Sequence, residues 1–167
     1  LKELARKGES KNTILLSEYQ TAGRGRLGKT FFSPRGCGVY LSYLIKPEIL
    51  PKDAVFITVA AAVSMVRAID RVLDIKTQIK WVNDIYYNDK KLCGILTEGA
   101  IDANGTLDYA VLGLGINIKN PPGGYPEEFS HKTTNKFTKF TQKSTQIQIK
   151  LLLWIALMPA WVKDYWF

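Results

Sequence analysis

A glycine- and arginine-rich stretch, residues 20–29, holds three glycines and three cations within seven residues, directly after an apolar run at 13–19. The apolar, β-favouring run predicts a buried strand. Glycine allows the following backbone to adopt positive φ and to approach a ligand closely. Arg presents a planar fork of donors to phosphate or carboxylate groups, and Lys adds a point charge. The stretch therefore predicts a strand followed by an anion-enclosing loop, with a ligand-free flexible linker as the alternative.

The same stretch matches the phosphate-binding loop of P-loop nucleotide hydrolases, with Gly23, four further residues, and then Gly28, Lys29 and Thr30. That loop functions only between a strand and a helix whose N-terminus faces the phosphates. Residues 31–38 instead contain one proline and two glycines, so no helix is predicted there. A P-loop nucleotide hydrolase therefore remains only as an alternative function.

Periodicity beyond the loop indicates one long helix and several paired strands. Apolar residues recur at three-to-four spacing over 55–73 and predict an amphipathic helix of about five turns. Asn88-Asp89 and Asn104-Gly105 predict hairpin turns. The predicted strands are 13–19, 38–45, 78–82, 85–87, 90–100 and 107–118. The expected fold is α+β, a mixed, largely antiparallel sheet with helices packed on one face.

Composition and charge restrict the class of protein. The net charge is +8, but five Lys and one Asp in residues 133–167 account for half of it. The rest of the chain has no dense basic stripe of the kind that binds nucleic acid, so that function is not favoured. The longest apolar run, 151–162, has 12 residues, fewer than the ~20 that span a bilayer. Cys37 and Cys93 lack a metal-binding spacing and are expected to be buried thiols. We expect a soluble, cytoplasmic domain without a metal site.

A second group of cations follows the predicted helix. Lys80 stands within a strand pattern, where it either faces solvent or points into a site, and Lys90 and Lys91 come soon after it. Gly94 and the glycines at 113–115 allow a ligand to approach the later strands closely. Several cations without paired catalytic carboxylates favour stabilisation of negative charge over acid–base hydrolysis.

Four segments in order resemble the signature of biotin protein ligases. They are EYQTAGRGRLG at 18–28, KWVND at 80–84, KLCGILTE at 91–98 and GLGIN at 113–117. The resemblance covers about residues 1–130 and implies the class II synthetase-like catalytic domain of that family, here placed at 1–132, with an atypical tail at 133–167. It implies that biotin and MgATP form biotinyl-5′-AMP. The biotin would then pass to a lysine of a biotin carboxyl carrier protein, such as that of acetyl-CoA carboxylase.

The resemblance also implies roles for individual residues. Lys80 and Arg26 would be catalytic, because they would offset the repulsion between the biotin carboxylate and the α-phosphate. The residues implied to bind biotin or the adenylate are Gln20, Gly23, Arg24, Gly25, Arg26, Lys80 and Gly94. Those implied on the nucleotide side are Phe31, at the adenine end, Asn83, Lys91, Gly115 and Asn117. The only metal implied is the Mg²⁺ that accompanies ATP.

The chain also departs from the family pattern. Val82 stands where proline is usual, and Lys29 stands where Arg is usual. A Ser-Thr-Asn segment that helps to hold biotin in the family would lie upstream of Leu1, and the family's C-terminal β-barrel is not recognisable after residue 132. Truncation at both ends is therefore expected, and an inactive biotin-binding fragment is an alternative to an active ligase. A homodimer formed through a sheet edge is left open.

Overall fold

The structure, a computed structural model, describes residues 1–8 and 13–130, so the tail predicted at 133–167 lies outside the described residues. The helices are α1 (Lys2–Arg6), α2 (Val55–Leu73) and α3 (Glu127–Ser130). The strands are β1 (Thr13–Ser17), β2 (Gly38–Ile45), β3 (Gln78–Lys80), β4 (Asp84–Tyr87), β5 (Lys90–Ile101) and β6 (Leu107–Asn117). Short 3₁₀ turns occupy Arg26–Gly28 and Pro51–Asp53.

The strands form one sheet in the order β1-β2-β6-β5-β4-β3, and each neighbouring pair is antiparallel. The predicted hairpin turns are confirmed. Asn88 and Asp89 have φ of 48° and 61° between β4 and β5, the left-handed pair that a two-residue turn requires. Gly105, with φ of 79°, reverses the chain between β5 and β6. The α+β prediction is confirmed, as are the bounds of β2 and α2.

Helix α2 covers one side of the sheet, which we call the helix face. Its small and apolar residues Ala61, Met65 and Ile69 are buried, the last two completely. They belong to one apolar cluster with alternate residues of the central strands, including Leu114 and Ile116 of β6. Because strand side chains alternate between faces, this cluster uses only half of each strand.

The other half of each strand points to the opposite side, which we call the cleft face. The register places Gly94 of β5 beside Gly115 of β6 there, with Glu98 beside Val111 farther along the same two strands. The short helix α1 lies at one end of this face, where Ala5 packs with Leu44, Tyr109 and Val111. Within residues 1–8 and 13–130, helix therefore covers only one end of the cleft face.

Strand β1 is not buried, contrary to the sequence prediction. In the part of the chain that the structure describes, it pairs only with β2, at the edge of the sheet, and Leu15 and Leu16 are 55% and 50% exposed. The apolar composition of β1 predicted a strand correctly, but composition does not distinguish an edge from a centre. Among the described residues, no helix combines the length and apolar character needed to cross a membrane.

Candidate functional site

The glycine- and arginine-rich loop closes on itself through its backbone. The Phe31 N–H donates to the Gly23 carbonyl at 2.9 Å, and the Gly25 N–H donates to the Lys29 carbonyl at 2.6 Å. Gly28 has φ of 73° where the loop reverses direction, a conformation that glycine adopts without steric cost. No helix follows Lys29 in the described chain up to β2. The context that a P-loop requires is therefore missing, as predicted.

The loop places the Phe31 ring on glycines of the cleft face. A Cβ on Gly115 would lie 2.4 Å from the ring, and one on Gly94 would lie 2.8 Å from it. These two glycines, with Gly113 next along β6, form what we call the glycine floor. The sequence prediction was that such glycines admit a ligand close to the backbone. In this structure two of them admit the Phe31 ring, whereas a Cβ on Gly113 would meet nothing closer than the Leu96 carbonyl oxygen at 3.5 Å.

A cleft of about 360 Å³ lies between the loop, the glycine floor and the start of α1. Nine of the twelve predicted site residues line it: Gln20, Arg24, Gly25, Arg26, Phe31, Asn83, Lys91, Gly94 and Gly115. The cleft therefore brings together residues that are far apart in the sequence, five of them from residues 20–31 and the others from β5, β6 and the residue before β4.

Three predicted site residues lie outside the lining. Gly23 is buried within the loop, where a Cβ would lie 2.2 Å from the Phe31 carbonyl oxygen, so any side chain there would distort the loop. Asn117 is buried at the end of β6. Lys80 is exposed on the edge strand β3, and its Nζ lies 3.4 Å from the Tyr86 hydroxyl and 4.9 Å from the centre of that ring.

Two cations share one carboxylate at the α1 end of the cleft. Glu98 accepts from Lys2 Nζ at 2.6 Å and from Arg24 at 2.8 Å. Glu98 was not among the predicted site residues. The signal for it was available, because Gly94, Leu96 and Glu98 alternate along β5 and must share a face. Lys2 had no such signal, since only the folded chain brings α1 to β5.

A second polar group lies at the other end of the glycine floor. Lys91 Nζ is 2.7 Å from an Asp84 carboxylate oxygen, and the Asn83 amide donates to the same oxygen at 3.1 Å. Asn83 also accepts from Arg26 at 3.1 Å and donates to the Ile95 carbonyl at 3.0 Å. Arg26 and Lys91 are thus held on the consecutive residues Asn83 and Asp84.

The cleft is positively charged overall. Its lining includes the cations Lys2, Arg24, Arg26 and Lys91 and the carboxylates Glu3 and Glu98. Among the described residues, the pKa is raised by burial for Cys37, Tyr40, Tyr43, Cys93 and Tyr125 and lowered by hydrogen bonds for Asp102. None of these groups lines the cleft. The excess of positive charge in the lining can therefore bind and stabilise anions.

The family model for the biotin/lipoate A/B protein ligase family matches residues 2–117. The chain belongs to this family. It is 36% identical over 133 residues to the bifunctional ligase/repressor BirA of Bacillus subtilis, covering 80% of this chain and 41% of that protein. It is 30% identical over 113 residues to the biotin–[acetyl-CoA-carboxylase] ligase of Mycobacterium tuberculosis, covering 65% of this chain and 40% of that one.

The fold agrees with solved members of the biotin/lipoate A/B protein ligase family. The biotin protein ligase from Aquifex aeolicus in complex with biotin and ATP superposes with a TM-score of 0.69 at 28% identity, covering 98% of this chain and 67% of that one. The sequence resemblance to biotin protein ligases and the predicted fold are therefore confirmed. The chain spans about two fifths of the length of the BirA relative from Bacillus subtilis.

Proposed function

We propose that residues 1–132 carry the catalytic part of a biotin protein ligase. This part would activate biotin with ATP to biotinyl-5′-AMP and then transfer biotin to a lysine of a biotin carboxyl carrier protein. The observation that carries the proposal is the cleft itself, in which Arg24, Arg26 and Lys91 converge above the glycine floor. Biotin and ATP in the related Aquifex aeolicus complex support the choice of substrates.

Adenylation joins two anions, and their repulsion is the main obstacle. An oxygen of the biotin carboxylate would attack the α-phosphorus of ATP, forming a new P–O bond while the bond to pyrophosphate breaks. Cations placed before the reaction lower the energy of the negative charge that gathers there. Arg26 and Lys91 are the cations that the cleft holds on the adjacent partners Asn83 and Asp84.

We assign to Lys91 the charge-stabilising role that the resemblance implied for Lys80. Lys91 lines the cleft, and its Nζ lies 5.7 Å from the centre of the Phe31 ring. Lys80 does not line the cleft and contacts Tyr86 on an edge strand. For Arg26 the implied catalytic role is kept as part of the proposal.

The remaining predicted residues divide between the two substrates in the proposal. Gln20, Gly23, Arg24, Gly25 and Gly94 would form the biotin and adenylate side. Phe31, Asn83, Gly115 and Asn117 would form the nucleotide side. Asn117 and Gly23 are buried and do not line the cleft, so both would act indirectly.

Mg²⁺ would enter the cleft as part of the substrate MgATP. Among the described residues, no group of three His, Cys, Asp or Glu side chains could hold a resident metal ion. The carrier would be the biotin carboxyl carrier protein of acetyl-CoA carboxylase or a related carboxylase, as the name of the Mycobacterium tuberculosis relative suggests. We place the reaction in the cytoplasm, because Cys37 and Cys93 are both free thiols, as in a reducing compartment.

The experiment that tests the proposal is pyrophosphate release from MgATP by the full chain, with and without biotin. Biotin-dependent release supports the ligase. Thermal stabilisation by biotin without release would instead indicate a biotin-binding fragment, and phosphate release that ignores biotin would indicate a nucleotide hydrolase. Transfer is tested separately, by adding a carrier domain and detecting biotin on its acceptor lysine.

A further inference from the structure

One carboxylate at the α1 end of the cleft pairs with two cations at once. Lys2 Nζ donates to Glu98 Oε1 at 2.6 Å, and Arg24 Nη2 donates to Glu98 Oε2 at 2.8 Å. Because each cation uses a different oxygen, the two bonds do not exclude one another. All three residues line the cleft. A ligand anion that binds Arg24 must therefore compete with Glu98.

The two cations are held on Glu98 in different ways. Lys2 belongs to α1, which is anchored because Ala5 packs in an apolar cluster with residues of β2 and β6. The Arg24 side chain is 62% exposed, whereas that of Lys2 is 32% exposed. An ion pair formed by a long, exposed side chain contributes little free energy and is readily broken. Arg24 is therefore the partner that can leave.

The backbone on both sides of Arg24 is fixed, so its movement involves the side chain alone. The Gly23 carbonyl accepts from the Phe31 N–H at 2.9 Å. On the other side of Arg24, the Gly25 N–H donates to the Lys29 carbonyl at 2.6 Å. Exposed side chains change rotamer within picoseconds to nanoseconds. Arg24 can therefore exchange one partner for another while the loop keeps its shape.

The second cation lowers the cost of this exchange. The Glu98 side chain is 28% exposed, so water solvates its charge only in part. A carboxylate that is withdrawn from water and loses its cation is strongly destabilising. Because Lys2 stays on Glu98, the departure of Arg24 leaves the carboxylate paired. Lys2 thus makes the transfer of Arg24 to a ligand anion less costly.

We propose that Glu98 and Lys2 are positioning residues that hold Arg24 in the cleft and release it to a phosphate of the ligand. The inference rests on the proposed function, under which that phosphate belongs to ATP. Glu98 competes with the phosphate for Arg24, and Lys2 weakens this competition by keeping Glu98 paired. Both residues act through Arg24 and not by contact with the ligand.

Dissociation constants for ATP, measured by calorimetry at low salt on the full chain, test the two roles. Glu98→Gln should bind ATP more tightly by about fivefold, because Arg24 then has no competing carboxylate. Lys2→Met should bind ATP more weakly by about fivefold, because Arg24 must then leave Glu98 unpaired. Both effects should shrink in high salt, which screens exposed charges.

The double variant Lys2→Met with Glu98→Gln separates positioning from direct binding of the ligand. If Lys2 acts through Glu98, adding Lys2→Met to Glu98→Gln should change the affinity for ATP by less than about twofold. If Lys2 contacts the phosphates itself, the whole loss persists in the double variant, and the inference is wrong.

Lys7→Met is the matched control for Lys2→Met. Lys7 directly follows α1 and pairs with Glu3 at 2.8 Å, but it does not line the cleft. Its replacement should leave the affinity for ATP unchanged. Lys2→Arg keeps the charge and should bind ATP as the wild-type chain does. If Lys2→Met does not fold, Glu98→Gln still tests the competition for Arg24.

Unchanged affinity for ATP in Glu98→Gln would overturn the inference and leave the proposed function intact. It would mean that Arg24 stays on Glu98, or is free of it, whether or not ATP binds. A wild-type chain that binds neither ATP nor biotin and releases no pyrophosphate would instead overturn the proposed function, and the inference with it.

Discussion

The two faces of the sheet are built from the same strands but differ in polarity and in proposed role. On β5, Cys93 and Ile95 point into the helix face and are fully or almost fully buried. Gly94 and Glu98, alternating with them, meet an aromatic ring and two cations on the cleft face. A period of two therefore separates a dry apolar core from a charged surface within one short segment. The difference indicates that stability resides mainly on the helix face, while the proposed ligand site lies on the cleft face.

The largest effect on the proposed reaction is expected from Lys91, the lysine that lines the cleft. Lys91→Ala should lower the rate of biotin-dependent pyrophosphate release by ~10²–10³, or about 3–4 kcal/mol in the activation free energy. Its melting temperature should also fall, because Asp84 is largely buried and keeps only the Asn83 hydrogen bond when its cation is removed. The loss of rate should remain at a temperature where the variant is fully folded. Single-turnover kinetics on the purified variant provide the measurement.

Lys80→Ala is the matched control, since Lys80 is also a strand lysine but lies outside the cleft. It should retain nearly the wild-type rate. A large loss in Lys80→Ala together with normal release in Lys91→Ala would restore the assignment that the family resemblance implied.

The pH dependence of the unfolding free energy tests the environment of Cys93 on the helix face. Burial raises the pKa of this thiol from 9.0 to about 12. A raised pKa in the folded state means that the stabilisation is present below pH 9 and is lost as the pH rises toward 12, because the unfolded chain releases its proton first. Each unit of separation corresponds to about 1.4 kcal/mol of unfolding free energy.

We therefore expect Cys93→Ala to be less sensitive to alkaline pH than the wild-type chain. Urea unfolding at a series of pH values from about 8 to about 11, on either side of the ordinary thiol pKa, provides the comparison. The difference between the two chains removes the contribution of the buried tyrosines. Parallel curves for the two proteins would contradict a dry environment around Cys93.

The sequence predicted the positions of helices and strands better than it predicted how deeply each is buried. Apolar periodicity located α2 and the hairpins, because amphipathic spacing and turn residues are local signals. Periodicity did not reveal that β1 is an edge strand, because apolar residues such as Leu15 and Leu16 also occur in central strands. Only the sheet order, which depends on distant pairings, determines that exposure.

The ordered motifs predicted most of the residues that line the cleft, but they did not predict contacts between distant parts of the chain. Nine of the twelve predicted residues line the cleft. The catalytic role of Lys80 stays a prediction from the resemblance. Lys80 does not line the cleft, and a strand pattern alone does not indicate which of two nearby lysines faces the glycine floor. Lys2 was missed because α1 reaches the cleft only through tertiary packing.

The glycine floor offers a direct comparison between two positions on one strand and one face. Gly115→Ala places a Cβ 2.4 Å from the Phe31 ring, so the ring must move, and overpacking of this kind costs about 1–3 kcal/mol. Gly113→Ala meets nothing closer than 3.5 Å and should unfold at nearly the wild-type urea concentration. Equal destabilisation of both variants would show that the loss comes from the strand backbone and not from the Phe31 ring.

The smallest expected effect concerns the ion pairs that hold the loop to the sheet. Glu98→Gln removes the charge shared by Lys2 and Arg24. Arg24 is 62% exposed, so solvent screens the pair. The loss of unfolding free energy, measured by urea denaturation, should therefore stay below about 1 kcal/mol and shrink in high salt.

Binding of ATP separates the two roles that this ion pair could have. Glu18→Gln is the matched control for Glu98→Gln, because Glu18 pairs with Arg35 outside the cleft. If the cleft cations act on ligand anions, only Glu98→Gln should bind ATP more tightly at low salt, since it frees Arg24 from a competing carboxylate. Equal ATP affinity in both variants would mean that the ion pair at Glu98 belongs to the stability of the fold and not to the binding face.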